Sequence, residues 1–212
     1  MGYLVGTTGK VIGVDKSESY IKYLDDLAKF HQLNIETQAC DFNEMILEPN
    51  SLDGAYCRWA LAWTPNPDAI IQKVIHALKP GGRFIIQEYY DWSTLQTQPE
   101  FPNLKEGIFQ ALSSLQNGPG EIEIGRRAAD IFLKNGCTIH HSRPLTKLAN
   151  PGDLRWHWPK TFFTIYLPKV AEMGLIDMKT VEKAMEEFEL LEKTPGATIF
   201  TPSMIEVIGE KV

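Results

Sequence analysis

The chain is short of cysteine, of positive charge and of long apolar stretches, and each shortage excludes a class of protein. Only three cysteines, Cys40, Cys57 and Cys137, occur in 212 residues. They are odd in number and widely spaced, with neither a disulfide framework nor a metal-ligand pattern. Such usage fits a reducing compartment, so a cytoplasmic location is expected. Lysine and arginine total 21 against 27 acids, a formal charge of −6. Tracking a phosphate backbone needs a basic face, which disfavours a nucleic-acid partner. Apolar runs end after a few residues, too soon for a membrane span. The opening Met1-Gly2-Tyr3-Leu4-Val5-Gly6 lacks the regions of a signal peptide. A small-molecule substrate is the remaining default.

What is present reads as alternating strands and helices, the pattern of a parallel sheet with crossover helices. Hydrophobic residues make up 43% of the chain, enough for one core, and roughly 150 residues per domain suggests one generous domain over 1–212. Lys10–Asp15 is β-rich and ends in an acid. Tyr20, Ile21, Leu24, Leu27 and Ala28 then share a helix face, with Ser17 or Ser19 as its cap. Asn34–Asp41 alternates as a half-buried strand and also ends in an acid, and Leu52–Arg58 is a further short strand. Ile70, Ile71, Val74, Ile75 and Leu78 form the next helix face. Lys79-Pro80-Gly81-Gly82 stops that helix before the buried strand Arg83–Glu88. After about residue 92 helices dominate, with Leu104, Ile108, Leu112 and Leu115 on one and Ala128, Ile131 and Phe132 on another. Cys137–Leu148 and Thr198–Gly209 are β-like, and 150–195 is an aromatic helical insertion over the sheet edge.

Ligands of open α/β sheets lie beyond the carboxyl ends of the strands, where Asp15 and Asp41 fall. A carboxylate there can accept both hydroxyls of a ribose, and a second can accept from an adenine amino group beneath an apolar neighbour such as Phe42. With Val5–Asp15, Ala39-Cys40-Asp41-Phe42 and Leu78-Lys79-Pro80-Gly81-Gly82 in this order, the chain resembles class I S-adenosylmethionine-dependent methyltransferases. It is most similar to their ubiquinone- and menaquinone-biosynthesis group, closely over residues 4–92 and weakly over 93–212. The resemblance implies a Rossmann-like α/β fold, with residues 1–92 as the cofactor half and 93–212 as the substrate half. It also implies S-adenosyl-L-methionine as cofactor, Asp15 and the adjoining Lys16 at the ribose, Asp41 and Phe42 at the adenine, and Arg58 and Trp59 at the methionine end.

One departure stands out. The glycine-rich loop expected after the family's first strand, a G-x-G-x-x-G in a nucleotide-binding unit, is absent. Met1–Val5 reads as the last turn of the helix that follows that loop, so the sheet is expected to lack its first strand. Its neighbours would then expose unpaired backbone, which a homodimer would cover. For the transfer itself, Glu88, Tyr89 and His157 are the candidate bases, with Tyr90 and Asp91 beside the substrate. Trp156 and Trp158 read as lid packing, and Met173, Met178 and Met185 as core. Cys57 reads as a small buried residue, and His140 and His141 as strand neighbours on opposite faces. A non-catalytic methyltransferase-like interaction protein is the main alternative. A nicotinamide-dependent dehydrogenase is a weaker one, since no Tyr-x-x-x-Lys pair occurs.

Overall fold

β-Branched residues crowd Val11–Asp15, and this segment is strand β1 in the computed structural model, which describes all 212 residues. Helix α1 (Glu18–Phe30) follows, then β2 (Ile35–Ala39) runs parallel to β1 from Val11 opposite Ile35 to Asp15 opposite Ala39. The helix buries Ile21 and Ala28. Gly13 lets it sit close to β1, for a Cβ there would lie 2.7 Å from the Leu24 side chain. Tyr20 does not join that face and is largely exposed. Neither serine caps α1 with its side chain, since the hydroxyls of Ser17 and Ser19 bond each other at 2.9 Å. Asp15 shapes the turn before the helix, its Oδ1 accepting from the Ser17 amide at 2.8 Å. Met1–Val5 forms a single helical turn, with the Leu4 and Val5 amides donating to the Met1 carbonyl. Residues through Ser51 make one compact unit, and Leu52–Val212 make a second.

The second unit contains, in order, β3 (Leu52–Arg58), α2 (Pro67–Ala77), β4 (Leu78–Asp91), β5 (Gln96–Gln98), α3 (Pro102–Gln116) and α4 (Ala128–Lys134). Then follow β6 (Cys137–Pro144), β7 (Leu148–Ala149), α5 (Leu154–Glu172), α6 (Met178–Lys193), β8 (Thr198–Phe200) and β9 (Ser203–Lys211). Its main sheet has the order β3-β4-β9-β6. β3 and β4 pair in parallel, and β9 is antiparallel to both β4 and β6, so β9 alone is reversed. Strands β5, β8 and β7 form a small antiparallel sheet.

Pro67 starts α2 where no amide is needed, and Asn66 caps it by accepting from the Ala69 amide. The Lys79–Gly82 segment departs from the expected simple stop. Leu78 already pairs with Leu52, and the ladder resumes with Arg83 opposite Gly54, so the Pro-Gly-Gly run is an irregularity inside the pairing. Gly81 holds φ +79°, and a Cβ on Gly82 would lie 2.8 Å from the Lys79 carbonyl oxygen. In β6 a register shift between Ile139 and His141 breaks the alternation, so His140 and His141 are both exposed rather than on opposite faces.

Helices α3, α5 and α6 pack together. A Cβ on Gly107 of α3 would be 3.2 Å from Leu167 of α5 and 3.7 Å from Ala184 of α6. Helix α3 has no side-chain cap of its own. Glu187 of α6 supplies one, accepting from the Leu104 amide and the Asn103 side chain at 2.6 Å each. At the sheet centre the carboxylate of Glu206 on β9 accepts from Gln87 of β4 at 2.6 Å and Arg143 of β6 at 2.7 Å, tying three strands together.

Candidate functional site

In the first unit, parallel pairing brings Asp15 and Asp41 to the carboxyl ends of adjacent strands, where the Cys40 amide donates to the Asp15 carbonyl at 3.1 Å. Each acid uses one oxygen to shape its own turn. Asp15 Oδ1 takes the Ser17 amide, and Asp41 Oδ1 takes the amide and side-chain nitrogen of Asn43 at 2.9 and 2.8 Å. The Asn43 bonds hold the Asp41 carboxyl below the usual carboxylate range, with a smaller contribution from the Lys16 charge. Lys16 therefore belongs to the same cluster, and half-buried Phe42 adjoins it. The second oxygens of the two acids remain as acceptors for donors such as a ribose diol or an exocyclic amine. The residues fit the nucleoside part of S-adenosylmethionine.

In the second unit, the carboxyl ends of β3 and β4 carry a different arrangement. Trp59, just past β3, has φ +52°, a left-handed backbone that a non-glycine residue adopts at a cost of about 1–3 kcal/mol. Its amide donates to the Gln87 carbonyl at 3.1 Å, and Arg58 stacks its guanidinium 4.1 Å from the indole centroid. The next two amides, of Ala60 and Leu61, both donate to Glu88 Oε1 at 2.9 Å. Hydrogen bonds to a charged acceptor contribute about 1.5–3 kcal/mol each. The pair is thus strong enough to hold the strained turn.

Glu88 itself has 0% exposure, so it does not face a substrate as expected from sequence. Burial pushes its carboxyl up to about 7, against the downward pull of the backbone amides. Its Oε2 is buried with no partner. Beside it, desolvation and the Glu88 charge push the thiol of Cys57, which is half-buried rather than buried as expected, up to about 12, which leaves it inert. Tyr89 is also buried, and desolvation raises its phenol well above the ordinary value. Asp91 pairs with Arg126 at 3.2 Å and accepts from the Ser93 amide, while Tyr90 lies under the Arg126 guanidinium. Of the three expected bases, only His157 stands on an open surface.

That surface is a groove of about 480 Å³ along α5, lined by His157, Trp158, Thr161, Phe162, Ile165 and Tyr166. Its aromatic wall continues inward. Trp158 stacks on Phe162 (5.8 Å, 14°) and meets Trp59 at 5.8 Å, and Trp59 in turn stacks on Tyr89 (5.8 Å, 9°). The Trp59 indole donates to Met204 Sδ at 3.2 Å. Trp156, by contrast, is buried against Phe188 of α6. Sequence reasoning missed Trp92, which meets Tyr89, Trp158 and Phe162, and Met204, because the contacts of Trp92 with α5 and of Met204 with Trp59 span long sequence separations.

Parallel strands alternating with helices, with acids at the carboxyl ends of β1 and β2, define a Rossmann-like α/β protein. The sequence profile of the methyltransferase-domain family matches residues 1–136, and the chain belongs to that family. It is 28% identical over 148 residues to a demethylmenaquinone methyltransferase of Desulfitobacterium hafniense, covering 69% of this chain and 55% of the relative. It is 25% identical over 162 residues to a sterol 24-C-methyltransferase of Candida albicans, covering 72% and 40%. The chain thus spans about half the length of the curated relatives it matches. Among solved structures, a geranyl diphosphate methyltransferase bound to S-adenosylmethionine superposes with a TM-score of 0.52 at 10% identity, over 96% of this chain and 69% of that one. The cyclase SpnF superposes with a TM-score of 0.56 at 14% identity, over 99% and 70%. These likenesses establish the fold. No helix is long and apolar enough to cross a membrane.

Proposed function

We propose that this chain transfers the methyl group of S-adenosylmethionine to a small, partly apolar acceptor. The observation that carries the reading is the pair of acids at the carboxyl ends of β1 and β2, each with an oxygen left for a ligand, in a chain of the methyltransferase-domain family. Asp15 accepts from the ribose hydroxyls, with Lys16 beside it. Asp41 accepts from the adenine amine, and Phe42 covers the ring. The cofactor supplies an activated methyl on a sulfonium, whose sulfur keeps the electron pair of the broken bond. The protein's share is to align the acceptor and exclude water. Arg58 and Trp59 border the acceptor side, and the α5 groove offers it an apolar, aromatic bed. Where the acceptor atom loses a proton, His157 is the lining side chain able to take it. Relatives named for demethylmenaquinone and sterol substrates agree with an apolar acceptor.

The test is calorimetric titration of the chain with S-adenosylhomocysteine, with NAD as the control ligand. Micromolar binding of the first alone is expected. The Asp15→Asn variant keeps an oxygen for the Ser17 amide but loses the charge, and roughly tenfold to a hundredfold weaker binding should follow from the loss of one charge-assisted bond. No binding of S-adenosylhomocysteine, or equal binding by Asp15→Asn, overturns the assignment. Tight binding of NAD instead would revive the dehydrogenase reading.

A further inference from the structure

Glu88 belongs to no step of the transfer, yet it is a fully buried carboxylate at the end of a strand that points toward the aromatic cluster. Its one bonded oxygen collects the two consecutive amides that follow Trp59, and Cys57 Sγ lies 3.9 Å away on β3. Those amides converge on a single acceptor because the preceding residue has turned into the left-handed region. In that turn the Trp59 indole is laid between Tyr89 and Trp158, the residue through which it meets the α5 groove. A neutral side chain with one carbonyl oxygen could accept the same two bonds only more weakly, so the carboxylate's charge is what tightens the turn.

We propose that Glu88 is a positioning residue for the acceptor, fixing the turn at residues 59–61 so that Trp59 sets the inner wall of the α5 groove. The inference rests on reading that groove as the acceptor site. It makes the groove's shape depend on the charge of a group that no acceptor touches. The titratable groups facing Glu88 are Cys57 from β3 and Tyr89 from its own strand, and burial keeps both in their neutral forms around neutrality. Glu88 is therefore the group whose charge changes there, and protonation weakens its hold on the two amides.

The experiment uses naphthol, a neutral fluorescent aromatic, as the groove probe, with near-ultraviolet circular dichroism as the report on the tryptophan cluster. The Glu88→Ala variant should bind naphthol roughly tenfold more weakly, equivalent to about 1.4 kcal/mol, with altered dichroism. Glu88→Gln should bind naphthol several-fold more weakly than the wild type at about pH 8, because a neutral oxygen holds the two amides less tightly than a carboxylate. Because Glu88→Ala risks failing to fold, the wild type and Glu88→Gln are also compared from about pH 8 down to about pH 6, and their affinity ratio should fall as the carboxylate is neutralised. His157 is present in both proteins and cancels in that ratio. An unchanged ratio, a folded Glu88→Ala with wild-type affinity, or no naphthol binding by the wild type overturns the proposal. S-adenosylhomocysteine binding by the wild type is measured alongside. If the wild type itself fails to bind S-adenosylhomocysteine, the methyl-transfer reading falls while the dichroism result on Glu88 stands.

Discussion

Replacing Glu88 with glutamine should change how the stability of the second unit varies with pH. In the unfolded chain this carboxyl has its ordinary value of 4.5, whereas burial raises it to about 7 in the folded protein. Below about pH 4.5 both states hold the proton and ionisation costs nothing. Between about 4.5 and 7 the folded state binds the extra proton, so stability falls by about 1.4 kcal/mol per pH unit. Above about 7 the loss levels off, at an upper bound of about 3 kcal/mol for this shift. Glutamine cannot ionise and escapes the whole trend. The wild type should therefore lose about 2–3 kcal/mol relative to Glu88→Gln between about pH 4.5 and pH 8, whatever constant offset the buried amide introduces.

Urea unfolding followed by tryptophan fluorescence suits this comparison. All five tryptophans, Trp59, Trp63, Trp92, Trp156 and Trp158, lie in the second unit, so the signal reports its unfolding alone. A stability difference between the two proteins that stays constant within about 0.5 kcal/mol over that range would refute the reasoning. It would mean that Glu88 titrates as an ordinary surface acid, and that water reaches Oε2.

Two further outcomes follow from the packing. Arg127 makes paired bonds to Asp68 at the start of α2 (2.9 and 2.5 Å) and to Glu121 (2.6 Å each), and its side chain is 39% exposed. Arg127→Met should cost about 1 kcal/mol at neutral pH, as expected for a solvent-screened network. Arg127 holds the Asp68 carboxyl below its ordinary range, so this contribution is present above about pH 4 and disappears as pH falls further. Urea curves of the two proteins should therefore converge in acid. Gly209→Ala on β9 would place a Cβ 2.7–2.9 Å from three ring carbons of Phe132 on α4, an overpacking cost of about 1–3 kcal/mol. Phe132→Leu in the same chain should recover part of it, a coupling of at least about 0.5 kcal/mol in a double-mutant cycle. Additive effects would show that the ring has room to move.

Local order was legible wherever short-range chemistry decides it. Leu52–Arg58 is read as a strand and is β3 to the residue, because its apolar run is bounded within a few residues. Pairing was not legible. Thr198–Gly209 reads only as β-like, yet its larger part becomes the reversed strand between β4 and β6, since an antiparallel insertion leaves no local trace. The Lys-Pro-Gly-Gly run reads as a stop, and only the Leu52–Leu78 pairing reveals it as an irregularity within a ladder. Glu88 was misread as facing a substrate although a cue was available. Phe84, Ile86 and Glu88 share one parity on β4 and all are buried, so the period of the strand already places the acid inward. Treating every acid near a strand end as ligand-facing overrode that cue. Asp15 closes β1 and Asp41 lies just beyond β2, and each turns one carboxylate oxygen onto the loop that follows.

The places where local rules fail in the second unit are not scattered. Trp59 sits in a backbone region that suits glycine, and Glu88 holds a charge in the core with one oxygen unsatisfied. Trp92, with its indole nitrogen buried and unpartnered, packs against Tyr89 and Trp158 in the same cluster. Each departure alone costs stability, and a chain under selection for stability alone would replace them with glycine, glutamine and phenylalanine. Hydrogen bonds and ring contacts link all three into one network at the carboxyl ends of β3 and β4, beside the α5 groove. Strain gathered at a sheet's carboxyl end is what a site built to orient a ligand requires, since preorganisation means holding groups where folding alone would not leave them. On the proposed reading, the acids of the first unit would select the cofactor, and the Glu88–Trp59 network of the second would present the acceptor.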